Sequence, residues 1–441
     1  MDDRPSGSHP ASSPLTAFLG GPLPLVLAAV AAWGCMTVPP EVPGALPSRV
    51  AEPPSAAYRE AVEEGRAIAR TLISEERLPG LSLAVAVDGE IVWAEGFGRA
   101  DLESQAPVTP ATLLRIGGVS QTITAAAVGL LSERGRLDLD APVQRYVPGF
   151  PQKEWPISTR QLMSHTAGVR HYHGEEEVFG QAACGDDVQR LAIFAEDRLR
   201  FRPGTKSAYS TFGWVLVGAV VAGAAGEPYL DFVQREILTP LGMESTMADI
   251  ASRAEPGSAH FYYPSVMLNP RHGLQDAPEV DLSCILPAGG FLSTPSDLAR
   301  FGSAMMGDAL LQAATVAELQ TPVRLASGES TGQALGWVVR YVPAGPGASP
   351  TRIVGQGLGD AVRRSFLSAV TLGGHVSGGT AALATVPEHR IAIAVASNVS
   401  GAESVPLLST RLSDVFVRLQ EGRREASGKE QGRAHLLPPR G

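Results

Sequence analysis

The sequence predicts an α/β protein: one antiparallel sheet built from both ends of a single domain, flanked by helices, with a helical subdomain between. Three observations carry this. Residues 81–87 alternate into Asp88-Gly89 and are followed by Ile91-Val92-Trp93, so a two-residue turn joins two antiparallel strands. Near the other end, residues 389–395 read as a further strand. Val405, Leu408, Leu412, Val415 and Leu419 then recur at helical spacing behind Ser404 as N-cap, while the stretch between the two ends is rich in helical patterning.

In chain order, the first segment concerns targeting. Residues 16–36 are almost wholly apolar or small, and densest over 23–33, as in a signal-peptide core or a single membrane anchor. Asp2 and Asp3 outnumber Arg4, where a signal peptide carries positive charge. Cys35 follows Ala32-Trp33-Gly34, which is similar to a bacterial lipoprotein box and makes Cys35 a candidate lipid-attachment residue. A cleaved lipoprotein and an uncleaved anchor both stay open. Either places the protein at the cell envelope, on its extracytoplasmic side. Residues 37–56 form a proline-rich linker. The main domain then runs over 57–420, opening with helical spacing at 61–76, and 421–441 reads as a disordered polar tail.

Composition narrows the function classes. Hydrophobic residues are 44% and charged residues 18% of the 441 positions, which is ample for a large core. Gly 48 and Pro 35 together fall short of the roughly 25–30% share that marks low complexity. A net charge of −9 leaves a nucleic-acid partner without an electrostatic footprint. Cys184 and Cys284 form a possible pair that an exported location permits, and sequence alone leaves their pairing open.

Seven motifs then fall in order. They are Leu78-Pro79-Gly80, Asp138-Leu139-Asp140-Ala141-Pro142-Val143, Leu162-Met163-Ser164-His165-Thr166-Ala167-Gly168 and Arg202-Pro203-Gly204. Tyr209-Ser210-Thr211-Phe212-Gly213, Pro240-Leu241-Gly242-Met243 and Ala288-Gly289-Gly290-Phe291-Leu292-Ser293-Thr294 follow. Over about residues 57–420 the chain resembles the serine β-lactamase-related family of class C β-lactamases, DD-peptidases and esterases. With Arg170-His171-Tyr172, the run 143–151 is most similar to its mitochondrial serine β-lactamase-like branch and bacterial relatives. The resemblance implies a β-lactamase/penicillin-binding-protein-like transpeptidase fold.

It also implies three chemical elements. A serine opens a helix with a lysine three residues on, so that both lie on one face. The lysine, or a tyrosine from a Tyr-x-Asn element, takes the serine proton and allows an acyl-enzyme. A Lys-Thr-Gly or His-Thr-Gly segment binds the substrate carboxylate, and backbone N–H groups stabilise the oxyanion.

The family register places the nucleophile on Gly118 and the lysine on Gln121, within Arg115-Ile116-Gly117-Gly118-Val119-Ser120-Gln121. A count of lysines supports this without any alignment. The chain holds only Lys153, Lys206 and Lys429, and the positions three before them are Phe150, Pro203 and Ala426. No Ser-x-x-Lys exists. Tyr209 occupies the proton-relay position, with Thr211 where asparagine is common. Counting back from Gly378-Gly379-Thr380 puts the carboxylate-binding slot on Leu372-Gly373-Gly374, with His375 the occupant if three residues are slipped.

The expectation is a β-lactamase-fold pseudoenzyme with a ligand-binding or scaffold role, whose degenerate pocket positions are Gly118, Gln121, Tyr209, Thr211, Leu372, Gly373, Gly374 and His375. The alternative is a weak or unorthodox serine hydrolase. Ser120 as a displaced nucleophile is disfavoured, because two residues along a helix turn it about 200° from the pocket face. His171 and His173 near Glu175, Glu176 and Glu177 are read as a pocket-rim loop rather than a metal site, and His165 as a structural histidine. Neither a cofactor nor a metal is expected. The partners expected are a small molecule or peptide in the old pocket, and the membrane through the N-terminal segment. Self-assembly stays open, because the mitochondrial member of the branch is known as filament-forming.

Overall fold

Asp88 and Gly89 both take positive φ, 53° and 91°, the backbone of a two-residue turn whose twist matches that of the strands it joins. The computed structural model describes residues 46–174, 177, 183–250, 256–265, 269–342, 351–356 and 375–434. In it β1 (Ser48–Val50), β2 (Gly80–Val87) and β3 (Glu90–Gly98) share a sheet with four strands from the far half of the chain. Those are β9 (Val338–Val342), β10 (Thr351–Gln356), β12 (Gly379–Val386) and β13 (Ile391–Ser397). The order is β1-β3-β2-β13-β12-β10-β9, every pairing is antiparallel, and β11 (His375–Val376) pairs with the start of β12.

Side-chain size separates the two faces. On β2, Leu81, Leu83, Val85 and Val87 point to one side, as Ile391, Ile393 and Val395 do on β13. They bury against α1 (Arg59–Glu76) and α10 (Ser404–Ala434). Ala84, Ala86, Ala392, Ala394 and Ala396 line the other side. Their small size admits α8 (Pro295–Ala304) so closely that a Cβ on Gly302 would lie 3.0 Å from Leu383 and 3.1 Å from Ala392. The period-2 pattern is thus large against small rather than apolar against polar, because both faces are covered. Glu76 fastens the two terminal helices: its buried carboxylate accepts the backbone N–H groups of Glu403 and Ser404, both at 2.9 Å, at the start of α10.

Both domain boundaries move outward. Residues 48–50 lie in the stretch read as a linker, yet they pair with β3 from Ser48 opposite Phe97 to Val50 opposite Glu95. An uncovered edge of β3 would leave a row of unpaired backbone groups, and a short polar strand satisfies them. At the other end, α10 continues to Ala434, through much of the stretch read as a disordered tail. Apolar periodicity stops at Leu419, but polar anchors carry the helix on. Arg423 donates to the Ala57 carbonyl with its guanidinium 4.5 Å over the Tyr58 ring, and Arg424 donates to the Glu388 carbonyl.

The helical subdomain centres on α2 (Ser120–Glu133), buried on all sides from Ser120 to Leu131. Around it pack α5 (Thr211–Ala225), α6 (Tyr229–Val233), α7 (Leu286–Gly289) and α9 (Ala313–Leu319). Thr124 pins this arrangement, with its hydroxyl 2.6 Å from that of Tyr229 and donating to the Pro287 carbonyl at 2.7 Å. The short helices α3 (Thr159–Met163) and α4 (Asp187–Ala192) complete this side, and a disulfide joins Cys184 to Cys284. A small sheet of β4 (Leu114–Arg115), β8 (Phe291–Ser293) and β5 (Met247–Ala248), in the order β4-β8-β5, leads into α2, and β6 (Tyr262–Pro264) pairs with β7 (Leu274–Asp276). Among the described residues, no single helix is long and apolar enough to cross a membrane. The apolar run 16–36 and Cys35 lie outside the described residues.

Candidate functional site

Gly118 lies in a 3-10 turn, Gly117–Val119, that feeds directly into α2. It is Gly117 that takes the left-handed backbone, with φ 48°, whereas Gly118 has helix-start geometry. Arg115 sets the turn against the main sheet. Its Nε donates to Asp249 at 2.6 Å, its Nη1 donates to the Ser377 carbonyl at 2.7 Å, and its guanidinium lies 4.2 Å from the Phe261 ring. Burial pushes the Asp249 carboxyl up while Arg115 opposes the shift. The β11–β12 hairpin packs on the same turn. A Cβ on Gly379 would lie 2.6 Å from the Arg115 Cβ, so glycine is required for that approach.

One helical turn after Gly118, Gln121 is fully buried. Its Nε2 donates to the Tyr209 hydroxyl at 2.7 Å, and its Oε1 accepts from Gln356 Nε2 at 3.3 Å. Gln356 Nε2 also donates to the Gly336 carbonyl at 3.1 Å. Gln121 and Tyr209 thus meet at the start of α2. Gln356, at the end of β10, belongs to the same network and carried no signal in the sequence, since a lone polar residue closing a strand is unremarkable.

Tyr209 is held by the segment preceding α5. Ser210 caps that helix, its Oγ accepting the Gly213 N–H at 2.8 Å and donating to the Arg170 carbonyl at 2.7 Å. Thr211 is the first helical residue, and its N–H donates to His171 Nδ1 at 3.3 Å. The Ser210 N–H donates to His165 Nδ1 at 3.2 Å. The two imidazoles flank the Tyr209 ring, with centroids 4.6 Å away for His165 and 5.4 Å for His171. Both are neutral at physiological pH: burial pushes His165 down to about 3 and His171 down to about 4. Burial raises the Tyr209 phenol above its ordinary value, so it stays protonated.

The other candidates are placed as follows. Ser120 is wholly buried, and its Oγ has no hydrogen-bond partner among the described residues, so it faces the core. The His173 side chain is exposed and stands beside Glu177, away from the Tyr209 cluster that engages His171. Among the described residues, no group of three or more histidine, cysteine, aspartate or glutamate side chains is close enough to hold a metal. His375 begins β11, on the hairpin that packs against the Gly117–Val119 turn. Leu372, Gly373 and Gly374 lie outside the described residues.

A helix opening behind a small sheet, a tyrosine loop facing its first turn and a sheet hairpin beside it define a serine-hydrolase fold of the penicillin-binding type. The chain belongs to the beta-lactamase family, whose model matches residues 59–414. It is similar to human mitochondrial serine beta-lactamase-like protein LACTB, at 32% identity over 59% of this chain and 59% of that protein. Penicillin-binding protein 4* of Bacillus subtilis is 29% identical over 62% of each chain. The chain thus spans about three fifths of the length of these relatives. Among solved structures, an octameric penicillin-binding protein homologue from Pyrococcus abyssi superposes with a TM-score of 0.66 at 23% identity, over 81% of this chain and 77% of that one. A class C beta-lactamase gives 0.63 at 21% identity, over 82% and 97%. Likeness at these identities speaks for the fold alone.

Proposed function

We propose that this β-lactamase-fold protein is a non-hydrolytic member of its family, holding a small molecule or peptide in the old active site or serving as a scaffold at the cell envelope. One observation carries the reading: the position opening the central helix is Gly118, and the position one turn on is a carboxamide, Gln121, bonded to Tyr209 and Gln356. Glycine has no oxygen to acylate. A carboxamide has no basic nitrogen to receive a proton, and a phenol kept protonated by burial does not take the role over. Incubation with a fluorophosphonate or a fluorescent penicillin should leave the intact mass unchanged. A stoichiometric adduct on any pocket residue overturns the reading.

A weak hydrolase is the second reading, favoured by the retention of Tyr209 beside the helix opening. Turnover of a chromogenic ester that disappears in Tyr209→Phe would establish it. The envelope location rests on the apolar run 16–36 and Cys35, and the Cys184–Cys284 disulfide fits an oxidising compartment. Full-length protein should partition with membranes. Cys35→Ala abolishes processing and lipid labelling if Cys35 is the anchor, and recovery of the native protein in the cytosolic fraction refutes the placement.

A further inference from the structure

Four cations stand along one segment that leads into the Tyr209 loop. Arg198, Arg200, Arg202 and Lys206 are all exposed, and among the described residues none of their side chains makes an ion pair or a hydrogen bond. The nearby acids are already engaged. Asp197 and Glu177 each hold Arg170 at 2.6 Å, and Glu196 lies within electrostatic reach of Lys153. The segment is fixed through its backbone, because the N–H groups of Arg200, Gly204 and Ala208 donate to the carbonyls of Gly168, Thr166 and His165 at 2.8, 2.9 and 2.9 Å. The Ala326 N–H reaches the Gly204 carbonyl at 2.9 Å, and its turn adds Arg324 and Glu329, whose charges offset each other. Arg200 also adds to the burial that holds His171 neutral, so the positive stretch extends to the edge of the candidate site. Phe201 stands half-buried between Arg200 and Arg202.

We propose that this segment docks the domain on an anionic lipid surface, with Arg198, Arg200, Arg202 and Lys206 against the headgroup phosphates and the Tyr209 loop on the side turned to the bilayer. The inference rests on the envelope placement above, which supplies the membrane, and adds the face that meets it. A chain of net charge −9 is repelled by an anionic surface, so it approaches only through a face whose local charge is reversed. Arginine forks suit phosphate oxygens. The cavity beside the segment, lined in part by Phe150, Lys153, Phe194, Arg198 and Leu199, has room for little more than a water molecule, so it offers an acidic peptide no side-chain pocket. A lipid surface needs none. The apolar run 16–36 ends twelve residues before Ser48, a stretch that spans at most about 40 Å, so an anchored chain keeps the domain within reach of the bilayer.

The chain has only Lys153, Lys206 and Lys429, so Lys206 reports on the segment with Lys429 as reference. Full-length protein is mixed with vesicles of phosphatidylcholine alone, or with about 30% phosphatidylglycerol, at about 50 mM salt, and labelled with a water-soluble N-hydroxysuccinimide ester. The Lys206-to-Lys429 labelling ratio, read by peptide mass spectrometry, should fall at least about threefold on the anionic vesicles and recover at about 0.5 M salt. Changing Arg198→Gln, Arg200→Gln and Arg202→Gln together should raise the anionic lipid needed for that protection by about 100-fold, at about fivefold per cation. An unchanged ratio, protection that persists at high salt, or protection unaltered in the triple variant overturns the inference. Protection by polyglutamate but not by the anionic vesicles overturns it as well, and assigns the segment to an acidic protein partner. If the triple variant loses the melting temperature of the parent, the lipid and salt comparison on the native chain decides. Flotation with pure phosphatidylcholine vesicles reads the N-terminal anchor separately, so its failure refutes the anchor while the phosphatidylglycerol comparison still decides this inference.

Discussion

Restoring lysine alone should harm this protein. Gln121→Lys puts an ammonium at a position with no solvent exposure and removes the acceptor that Gln356 uses. An orphaned buried amide donor costs about 1–3 kcal/mol. The ammonium can escape full desolvation by losing its proton, which caps that contribution near 4.6 kcal/mol at pH 7, the distance to a free lysine value of about 10.4. A donated bond to Tyr209 recovers part, so the expected loss is about 3–6 kcal/mol.

The pH dependence follows from the sign. The introduced lysine has its pKa depressed in the folded state, so the unfolded state binds the extra proton, and stability of the variant rises with pH until the free value is passed. The slope is at most about 1.4 kcal/mol per pH unit. Urea unfolding followed by the fluorescence of the buried Trp93, Trp214 and Trp337 at pH 7 and pH 9.5 reads this directly, with the unaltered chain as reference. A variant as stable as the parent at pH 7, or one whose deficit does not shrink at high pH, refutes the reasoning. So does a Tyr209 phenolate band at pH 7, because it would mean that the site still supports an ion pair of the kind a working lysine needs.

Four further outcomes follow from the same geometry. Gly118→Ser should fold with a stability change under about 1 kcal/mol, whereas Gly117→Ser should lose about 1–2 kcal/mol through its left-handed backbone; equal effects in thermal melts would refute the assignment. The combined Gly118→Ser, Gln121→Lys and Leu372→His chain should regain slow acylation by a penicillin while each single change stays silent, and a folded but unreactive triple variant would show that the cavity has closed. Reducing Cys184–Cys284, or replacing both cysteines by serine, should cost about 2–4 kcal/mol, and an unchanged urea midpoint would argue against the bridge. The depressed His165 and His171 values make stability fall as pH drops below about 6.5 toward 4, since the unfolded chain takes up protons that the folded one refuses; His171→Gln should flatten that decline, and a parallel profile would contradict it.

Much of the site was legible because its signals are local. The turn at Asp88-Gly89 depends on two residues, and the missing Ser-x-x-Lys depends on four. The Tyr209-Ser210-Thr211 segment is a contiguous motif, and Ser210 within it caps the helix that follows. Gln356 was not legible. It lies 235 positions from Gln121, and nothing in its neighbours marks a strand end as part of the site. The boundaries were misplaced for a related reason: apolar periodicity measures burial of a face, whereas β1 is held by the open edge of β3 and the end of α10 by arginine contacts to backbone carbonyls.

What the sequence by itself determined is therefore the identity of groups at positions whose spacing is set within one turn or one hairpin. It placed no serine at 118 and no base at 121, and it separated large from small residues along β2 and β13, so that one sheet face takes the terminal helices and the other takes α8. Only the tertiary structure decided the protonation and direction of those groups. His171 is neutral because packing excludes water from it, and Gln121 turns its Nε2 to Tyr209 because a carbonyl at Gly336 orients two amides in series. The closure of Cys184 onto Cys284, 100 positions away, is of the same kind. Such outcomes depend on desolvation and on partners brought together across the chain, and those quantities exist only once the core has formed.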